Sequence, residues 1–204
     1  MRKKNNRIVE MINSLINHLC SIMHKITCFI VSALEIYYLK AIGVEIQGKS
    51  KFKGWCSVYK RPHSRIALGS GCSFNSSHYS NHIGLNHRCI ITTMQEGAFI
   101  KIGDNVGVSS SSITSFKSVV IGNNVRIGAN CVIMDGDFHL DDPRTSPPRS
   151  ITICDNVWLG YGVVVMKGVT IGENTIIGVN SVVTKDIPAN VVAAGSPCRI
   201  IRER

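Results

Sequence analysis

An aliphatic residue returns at every sixth position in the C-terminal half of the sequence, and this period constrains the fold more than any other feature. The positions are Ile153, Leu159, Val165, Ile171, Ile177 and Val183. Neither a helix of period 3.6 nor a strand of period 2 explains a period of six, but short strands joined by regular corners do. The same phase includes Ile102, Ile121, Ile127 and Ile133. The sequence therefore predicts a coil of short strands, in which three six-residue units close one triangular turn around stacked aliphatic side chains.

The residues between these aliphatic positions are typical of tight corners. The second place of the repeat is often glycine, as at Gly160, Gly172 and Gly178, and the corner places hold Asp155-Asn156, Glu173-Asn174 and Asn180, which tolerate a left-handed backbone. Leu68-Gly69-Ser70-Gly71-Cys72 and Ile83-Gly84-Leu85-Asn86 are interpreted as degenerate copies. The coil should therefore begin between about residue 45 and residue 66. Cys72 and Cys131 fall at a place where a small inward side chain is expected.

The N-terminal region carries a helical stripe. Its apolar positions step by three and four residues through Ile8, Ile12, Leu15, Leu19, Ile22, Ile26 and Phe29. The longest apolar run, Ile26 to Leu34, is far shorter than the ~20 residues needed to cross a bilayer, so the sequence does not favour a membrane-spanning helix. The favoured interpretation is a helix or helix pair packed on the coil or on sister chains. The alternative is a membrane-surface helix assisted by Arg2, Lys3, Lys4 and Arg7.

The charge and cysteine content of the sequence limit the kinds of partner and the cellular location that are expected. The formal net charge of +10 makes anionic partners plausible. Lys40 to Arg65 interleaves basic and aromatic residues, but no known nucleic-acid module surrounds it, so nucleic-acid binding is not expected. The eight cysteines form no Cys-x-x-Cys pair, and the basic start is not followed by an uninterrupted apolar segment of a secretory signal. A cytoplasmic location is expected, where the cysteines stay reduced.

The histidines of residues 75–98 raise the question of a zinc site. His82 and His87 have the His-x-x-x-x-His spacing of the gamma-type carbonic anhydrases, and that family takes a third histidine from well upstream. Here only His63 is available upstream, in a stretch without an established phase. No metal is therefore expected.

The period breaks once in the C-terminal half, between Ile133 and Ile153. The 20-residue separation is not a multiple of six, and the polar, proline-rich segment from Asp137 to Ser150 must leave the coil as a loop. Loops on a rigid scaffold often carry function. His139 lies in this loop with carboxylates on both sides, so it is the first candidate for chemistry, the alternative being a solvated loop histidine.

The stretch from Asp155 onward resembles the hexapeptide-repeat O-acetyltransferases, which include the maltose and galactoside enzymes. The matching segments are Asp155-Asn156-Val157-Trp158-Leu159-Gly160, Lys167-Gly168-Val169-Thr170-Ile171-Gly172, Val183-Thr184-Lys185-Asp186-Ile187-Pro188 and Ala193-Ala194-Gly195-Ser196-Pro197-Cys198-Arg199. Asp137-x-His139 is more similar to the branch that acts on capsule and lipopolysaccharide sugars. The resemblance implies a left-handed parallel β-helix, a homotrimer, active sites between neighbouring chains and acetyl-CoA as the acetyl donor.

The resemblance also assigns roles to residues. It implies that His139 is the catalytic base and that Trp158 forms an aromatic wall, and it places the backbone N–H of Tyr161 against the thioester. Val179, Thr184 and Lys185 would line the coenzyme A channel, with Arg199 and Arg202 near its phosphates. Asp137 is preferred over Asp141 for orienting the imidazole. Ser109 and Ser111 stand where galactoside enzymes carry sugar contacts, and are either acceptor contacts or simply small inward residues.

The sequence thus predicts an all-β core with an N-terminal helical extension. The expected parts are a helical region (1–42), the β-helix (43–187) with its active-site loop (137–150), and a C-terminal tail (188–204). The expected activity is acetyl transfer from acetyl-CoA to a hydroxyl of a surface polysaccharide or its precursor. Alternatives are an antibiotic- or amino-sugar-directed acetyltransferase of the same fold and a non-catalytic scaffold or metal protein. Peripheral contact with a membrane through the helix is the open alternative for its location.

Overall fold

A computed structural model describes residues 2–204, with side chains described from Glu10 onward. The basic side chains of Arg2, Lys3, Lys4 and Arg7, which the sequence associates with a membrane surface, lie outside the described side chains, as does that of Ile8. The helices are α1 (Arg2–Ala41) and a short 3-10 helix (His78–Ser80). The strands are β1 (Glu45–Ile46), β2 (Lys51–Lys53), β3 (Ser57–Tyr59), β4 (Arg65–Leu68), β5 (Ser73–Asn75), β6 (Ile90–Thr93), β7 (Phe99–Ile102), β8 (Gly107–Ser109), β9 (Ser112–Ser115), β10 (Ser118–Ile121), β11 (Arg126–Ala129), β12 (Val132–Met134), β13 (Ile151–Ile153), β14 (Trp158–Leu159), β15 (Val164–Val165), β16 (Thr170–Ile171), β17 (Ile176–Ile177), β18 (Val182–Val183), β19 (Val191–Ala194) and β20 (Arg199–Glu203).

The strands form three sheets that the chain visits in turn. Sheet A has the order β1-β4-β7-β10-β13-β16, sheet B the order β2-β5-β8-β11-β14-β17-β19-β20, and sheet C the order β3-β6-β9-β12-β15-β18. Each strand pairs in parallel with the strand one coil away, as Ile121 of β10 pairs with Ile153 of β13. Among the described strands, β20 alone runs antiparallel to its neighbour. The predicted parallel coil of three strands per turn is confirmed.

The inward side chains form one continuous core. All six aliphatic residues that define the period, from Ile153 to Val183, are fully buried. Ile121 stacks next to Ile153 in sheet A and Ile133 next to Val165 in sheet C, and each such buried side chain contributes roughly 1.5–3 kcal/mol. Cys72 and Cys131 are buried at the inward places that the sequence assigns to small residues. A Cβ atom on Gly160 would lie 2.9 Å from the Val179 backbone nitrogen, which explains why the second place of the repeat is small.

A ladder of asparagines stabilises the corner between sheets A and B. Asn105, Asn124, Asn156, Asn174 and Asn190 all have a positive φ of 56–60°. The side-chain amide of each donates to the side-chain oxygen of the next, at distances of 3.3, 3.2, 3.0 and 2.9 Å along the column. Asparagine adopts the left-handed region more readily than most residues, so the same side chain allows the tight corner and forms the hydrogen-bonded ladder.

Two segments leave the regular coil. Residues 76–89 connect sheet B to sheet C without a strand, and residues 135–150 connect sheet C to sheet A in the same way. The second segment is the one that the broken period predicts. The first corrects the interpretation of Ile83 as a repeat position: its side chain is 61% exposed and lies within the segment, because this corner is extended rather than degenerate.

Helix α1 covers the first coil through its C-terminal turns. The Ser32 hydroxyl donates to the carbonyl oxygen of Phe52 at 2.9 Å and accepts from its N–H at 2.8 Å. The Glu35 carboxylate accepts from the Cys56 N–H at 3.2 Å, and Leu39 is fully buried. The predicted packing of a helix on the coil is confirmed for this end of α1.

The rest of α1 extends away from the coil with its apolar side chains exposed. Glu10–Ala41 is long and apolar enough to cross a bilayer by length and composition, although a core helix or a signal sequence can meet the same criterion. Thr27, Cys28 and Ser32 interrupt the apolar run of this helix without adding charge, so the helix remains apolar over a greater length than that run alone.

We predict that Glu35 makes the stability of the coil end depend on pH. Burial raises the pKa of its carboxyl from 4.5 to about 7, against smaller opposing effects of the Cys56 N–H and Arg88. Because the folded state then binds the proton more tightly than the unfolded state, stability should fall as pH rises from 4.5 to about 7. In the wild type, thermal unfolding at pH 5 and pH 8 should show this fall as a decrease of a few degrees in Tm. Glu35→Gln should remove the decrease.

Glu10→Gln on the exposed part of the same helix provides the control, and should leave the fall in Tm unchanged. An equal fall in wild type and in Glu35→Gln would show that another group is responsible.

Candidate active site

The chain carries its extended segments at two different corners of the coil. Residues 76–89 lie where the chain passes from sheet B to sheet C, called corner B–C here. Residues 135–150 lie where it passes from sheet C to sheet A, called corner C–A. Loops on a rigid scaffold are where binding and catalytic groups concentrate, so both corners are candidates.

His139 lies exposed in the loop at corner C–A. Its carbonyl oxygen accepts from the Asp142 N–H at 3.1 Å, which closes a turn around it. The Asp137 carboxylate accepts from Lys167 Nζ at 2.5 Å, and the same ammonium donates to the carbonyl oxygen of Ser146 at 2.8 Å. Lys167 therefore ties both arms of the loop to the next coil. Within one chain Asp137 is thus paired with Lys167.

Asp135 organises the base of this loop. Its side chain is fully buried and accepts from the N–H groups of Phe116, Lys117 and Ser118 at 2.5, 2.9 and 2.6 Å, and from the Ser115 hydroxyl at 2.9 Å. A carboxylate that accepts several N–H donors fixes a turn strongly. The sequence interpretation missed Asp135, although its place two residues before Asp137 at the end of a strand could have signalled it.

A cavity of about 670 Å³ opens beside the loop. Phe116 and Phe138 both line it, and their rings pack edge to face with centroids 5.5 Å apart. Its other lining residues are Arg61, Met94, Gln95, Glu96, Leu140 and Asp141. Asp141, the alternative partner for His139, therefore faces this cavity. Aromatic faces flanked by charged and amide groups are suited to a polar ligand with apolar faces, such as a sugar ring.

Corner B–C brings Tyr161 to the segment 76–89. The Asn130 amide donates to the Tyr161 hydroxyl at 3.0 Å and to the Gly84 carbonyl oxygen at 3.5 Å, and its oxygen accepts from the Asn86 N–H at 3.1 Å. The N–H groups of Gly160 and Gly162, on either side of Tyr161, donate to neighbouring coils at 2.8 and 2.9 Å. The backbone at Tyr161 is therefore held rigidly, and Asn130 is a second residue that the sequence interpretation missed.

The two candidate acceptor residues differ in the structure. The Ser109 hydroxyl accepts from the amides of Asn75 and Asn81 at 3.0 and 3.2 Å, close to the segment 76–89. Ser111 is fully buried, and its hydroxyl shares its one proton between two backbone carbonyl oxygens, each at 2.8 Å, while accepting from the Cys131 N–H. The geometry of Ser111 favours the alternative interpretation of a small inward residue.

Trp158 lies on the outer face of sheet B and is 55% exposed. Cross-strand pairing aligns it with Ile176, then Val192, then Arg202. Three strand spacings place Trp158 and Arg202 about 14 Å apart on one face. Arg199 lies on the same last strand, opposite Ala194.

The remaining predicted residues are divided between the two corners. Val179 follows β17 at corner B–C and is 65% exposed. Thr184 and Lys185 follow β18 at corner C–A, and both are exposed. A single chain therefore brings His139 toward the corner of Thr184 and Lys185, but places Trp158 and Tyr161 on a different side of the coil.

The described residues contain no group of three or more His, Cys, Asp or Glu side chains that could hold a metal ion. The eight cysteines are all free in the structure. Burial raises the pKa of the Cys131 thiol to about 11, which keeps it protonated and unreactive.

Comparison with known proteins agrees with this architecture. Residues 150–185 match the family model described as bacterial transferase hexapeptide (six repeats). The resemblance to hexapeptide-repeat acyltransferases is confirmed. The galactoside O-acetyltransferase of Escherichia coli strain K12 is 46% identical over 112 residues, which cover 52% of this chain and 55% of that protein. The galactoside O-acetyltransferase of Lactococcus lactis is 35% identical over 141 residues, which cover 67% of this chain and 62% of that protein.

Solved structures show the same fold. A single-residue variant of AntD, an N-acyltransferase from Bacillus cereus in complex with dTDP and coenzyme A, superimposes with a TM-score of 0.64 at 16% identity, covering 82% of this chain and 88% of that one. A maltose O-acetyltransferase from Clostridium difficile 630 gives a TM-score of 0.51 at 24% identity, covering 89% of this chain and 87% of that one. The matched region spans about half the length of the Escherichia coli relative.

We predict that Asp135→Asn destabilises the fold by about 2–3 kcal/mol, because the amide turns an N–H donor toward backbone N–H donors. Denaturant unfolding would measure the loss. Asp142, a half-buried carboxylate that pairs with the exposed Arg144, provides the control, and Asp142→Asn should change stability by less than about 0.5 kcal/mol. Equal losses in the two variants would mean that the Asp135 cluster is not a structural anchor.

Proposed function

We propose that the protein is an acetyl-CoA-dependent O-acetyltransferase that modifies a sugar hydroxyl, with its active site between neighbouring chains of a homotrimer. One observation carries the proposal: His139 and the surface of Trp158 and Tyr161 lie on different sides of one coil. The site becomes complete when corner C–A of one chain meets corner B–C and sheet B of the next, which a cyclic trimer of parallel coils accomplishes three times. The similarity to galactoside O-acetyltransferases supports the reaction class.

His139 is the general base in this proposal. A neutral imidazole removes the proton from the acceptor hydroxyl as that oxygen bonds to the thioester carbonyl carbon. The Tyr161 N–H stabilises the negative charge that develops on the thioester oxygen, and its rigid backbone suits this role. His139 then returns the proton to the sulfur as the carbon–sulfur bond breaks. The products are the acetyl ester of the sugar and free coenzyme A, with no covalent enzyme intermediate.

The residues of sheet B and corner C–A fit coenzyme A by size and charge. The row from exposed Trp158 through half-buried Ile176 and Val192 to Arg202 is about 14 Å long and ends at a guanidinium. Arg199 and Arg202 would pair with its phosphates, since arginine matches phosphate geometry. Val179, Thr184 and Lys185, all exposed, would line the channel between the two chains.

The acceptor is proposed to lie against Ser109 and the cavity beside Phe138. Ser109 belongs to the network of the segment 76–89, which reaches Tyr161 through Asn130. The cavity adds the exposed ring of Phe138 and the carboxylates of Glu96 and Asp141. Asp137 is the proposed orienting group for His139. Because its carboxylate pairs with Lys167 within one chain, it would orient His139 by holding the loop in position.

The wider organisation belongs to the same proposal. We infer a left-handed coil, the three-part division at residues 42 and 187, a cytoplasmic location, and a surface polysaccharide or its precursor as the acceptor. The similarity to sugar O-acetyltransferases supports the choice of a sugar.

We predict that His139→Ala lowers acetyl transfer by about 10²–10⁴-fold, as expected for loss of a general base, while coenzyme A binding is retained. Release of free thiol from acetyl-CoA would be followed with a panel of sugars, amino sugars and polysaccharide fragments. His18→Ala, an exposed histidine of α1, is the control and should keep full activity. Failure of the wild-type protein to bind coenzyme A would refute the proposal, and transfer only to amino groups would replace it with N-acetylation.

We also predict complementation between two inactive variants. His139→Ala and Trp158→Ala lose opposite halves of a shared site, so mixed trimers formed from equal amounts should regain about a quarter of wild-type activity. The measurement is thiol release after co-refolding, compared with each variant refolded alone. Absence of recovery in trimers shown to be mixed would place both residues in a site within one chain.

A further inference from the structure

Helix α1 presents its apolar stripe away from the coil. Its contacts with the coil use Ser32, Glu35 and Leu39. At 3.6 residues per turn, the stripe through Leu19 and Ile26 lies roughly opposite these positions. The exposed apolar side chains of α1 are Met11, Ile12, Leu15, Ile16, Leu19, Ile22, Met23, Ile26, Phe29, Ile30, Leu34, Tyr37 and Tyr38. The stripe therefore has no partner within the described part of the chain.

The width of the stripe indicates what kind of surface it binds. Adjacent pairs such as Leu15-Ile16 and Ile22-Met23 make it wider than the two-column seam of a coiled coil. The opposite face carries Asn13, Asn17 and Ser21, so the helix is not apolar all round, as a lipid-buried spanning helix would be. A wide apolar face opposite a polar one is typical of a helix that lies in a membrane interface.

A basic cavity lies on the coil-facing side of α1 and reaches the edge of the stripe. It has a volume of about 710 Å³ between α1 and the first coil, and Phe29 at the edge of the stripe is one of its walls. Four lysines line it: Lys25 from the helix, and Lys49, Lys51 and Lys53 from the coil. The described residues around this cavity include no carboxylate. Positive charge next to an apolar face is complementary to an anionic headgroup above its acyl chains.

We propose that the stripe of α1 and these lysines together form a docking surface for a membrane that contains anionic phospholipid. The apolar side chains would enter the boundary between headgroups and acyl chains, and the lysines would contact lipid phosphates. The proposal is independent of the acetyl transfer reaction, because none of these residues belongs to the proposed active site. It does place the coil close to a lipid surface.

The test is partition onto vesicles of phosphatidylcholine with and without phosphatidylglycerol, measured by co-sedimentation of the full chain. Leu19→Glu with Ile26→Glu should abolish partition, whereas Asn17→Glu with Ser21→Glu on the polar face should reduce it far less. Lys49→Gln with Lys51→Gln should weaken partition onto anionic vesicles roughly tenfold at low salt and little at high salt. Lys101→Glu changes the net charge by the same two units elsewhere on the coil, and should have a smaller effect.

Light scattering on the same variants separates the alternatives. Failure of the wild type to partition onto vesicles would show that the proposal is wrong. If Leu19→Glu with Ile26→Glu then also lowers the oligomeric state, the stripe is an interface between copies of the chain. Equal partition onto both kinds of vesicle would refute the role of the lysines. Retention of the protein after a high-pH carbonate wash would show a spanning helix and refute interfacial docking. Thiol release with a soluble acceptor should remain unchanged in all four variants.

Discussion

Each coil of this protein depends on the coils above and below it to cover its inward side chains. A single triangular turn encloses only three aliphatic residues and exposes both of their flanks, so no coil is stable alone and stability builds up along the stack. This requirement accounts for the strict six-residue period, the small second place and the asparagine ladder. It also fixes the position of anything attached to a corner, because a rigid stack transmits register from one coil to the next.

The sequence predicted the parts of the structure that obey this repeating requirement. The buried aliphatic positions from Ile153 to Val183 and the corner asparagines with positive φ could be identified, because every copy of the repeat has the same physical requirements. The prediction for Ile83 was wrong because one isolated Ile-Gly-x-Asn unit matches the pattern without a neighbour to confirm it. The direction of the apolar stripe of α1 could not be predicted, since periodicity shows that a stripe exists but not which face meets the coil.

The candidate site shows a similar division. His139 was accessible from sequence because its loop breaks the period, whereas Asp135 and Asn130 act through contacts with residues 17 to 46 positions away. The partners in such long-range hydrogen bonds cannot be identified from the local sequence, although the place of Asp135 at the end of a strand could have marked it as a candidate. The structure also changes the meaning of two predicted residues: Ser111 is committed to the interior, and Asp137 holds a lysine rather than an imidazole within the chain. The corners carry the variable chemistry, and the coil determines where each corner lies.

The reversed direction of β20 has a consequence for assembly. A stack of parallel strands ends in unpaired backbone groups that can receive the first coil of another molecule, which would allow growth into fibres. Here the terminal strand of sheet B runs antiparallel and carries Arg199 and Arg202 on its exposed surface, while the last turns of α1 lie across the first coil. The helix thus covers the first coil, and β20 gives the other end of sheet B a strand direction that does not match an added parallel coil, so both features disfavour the stacking of one molecule on the next.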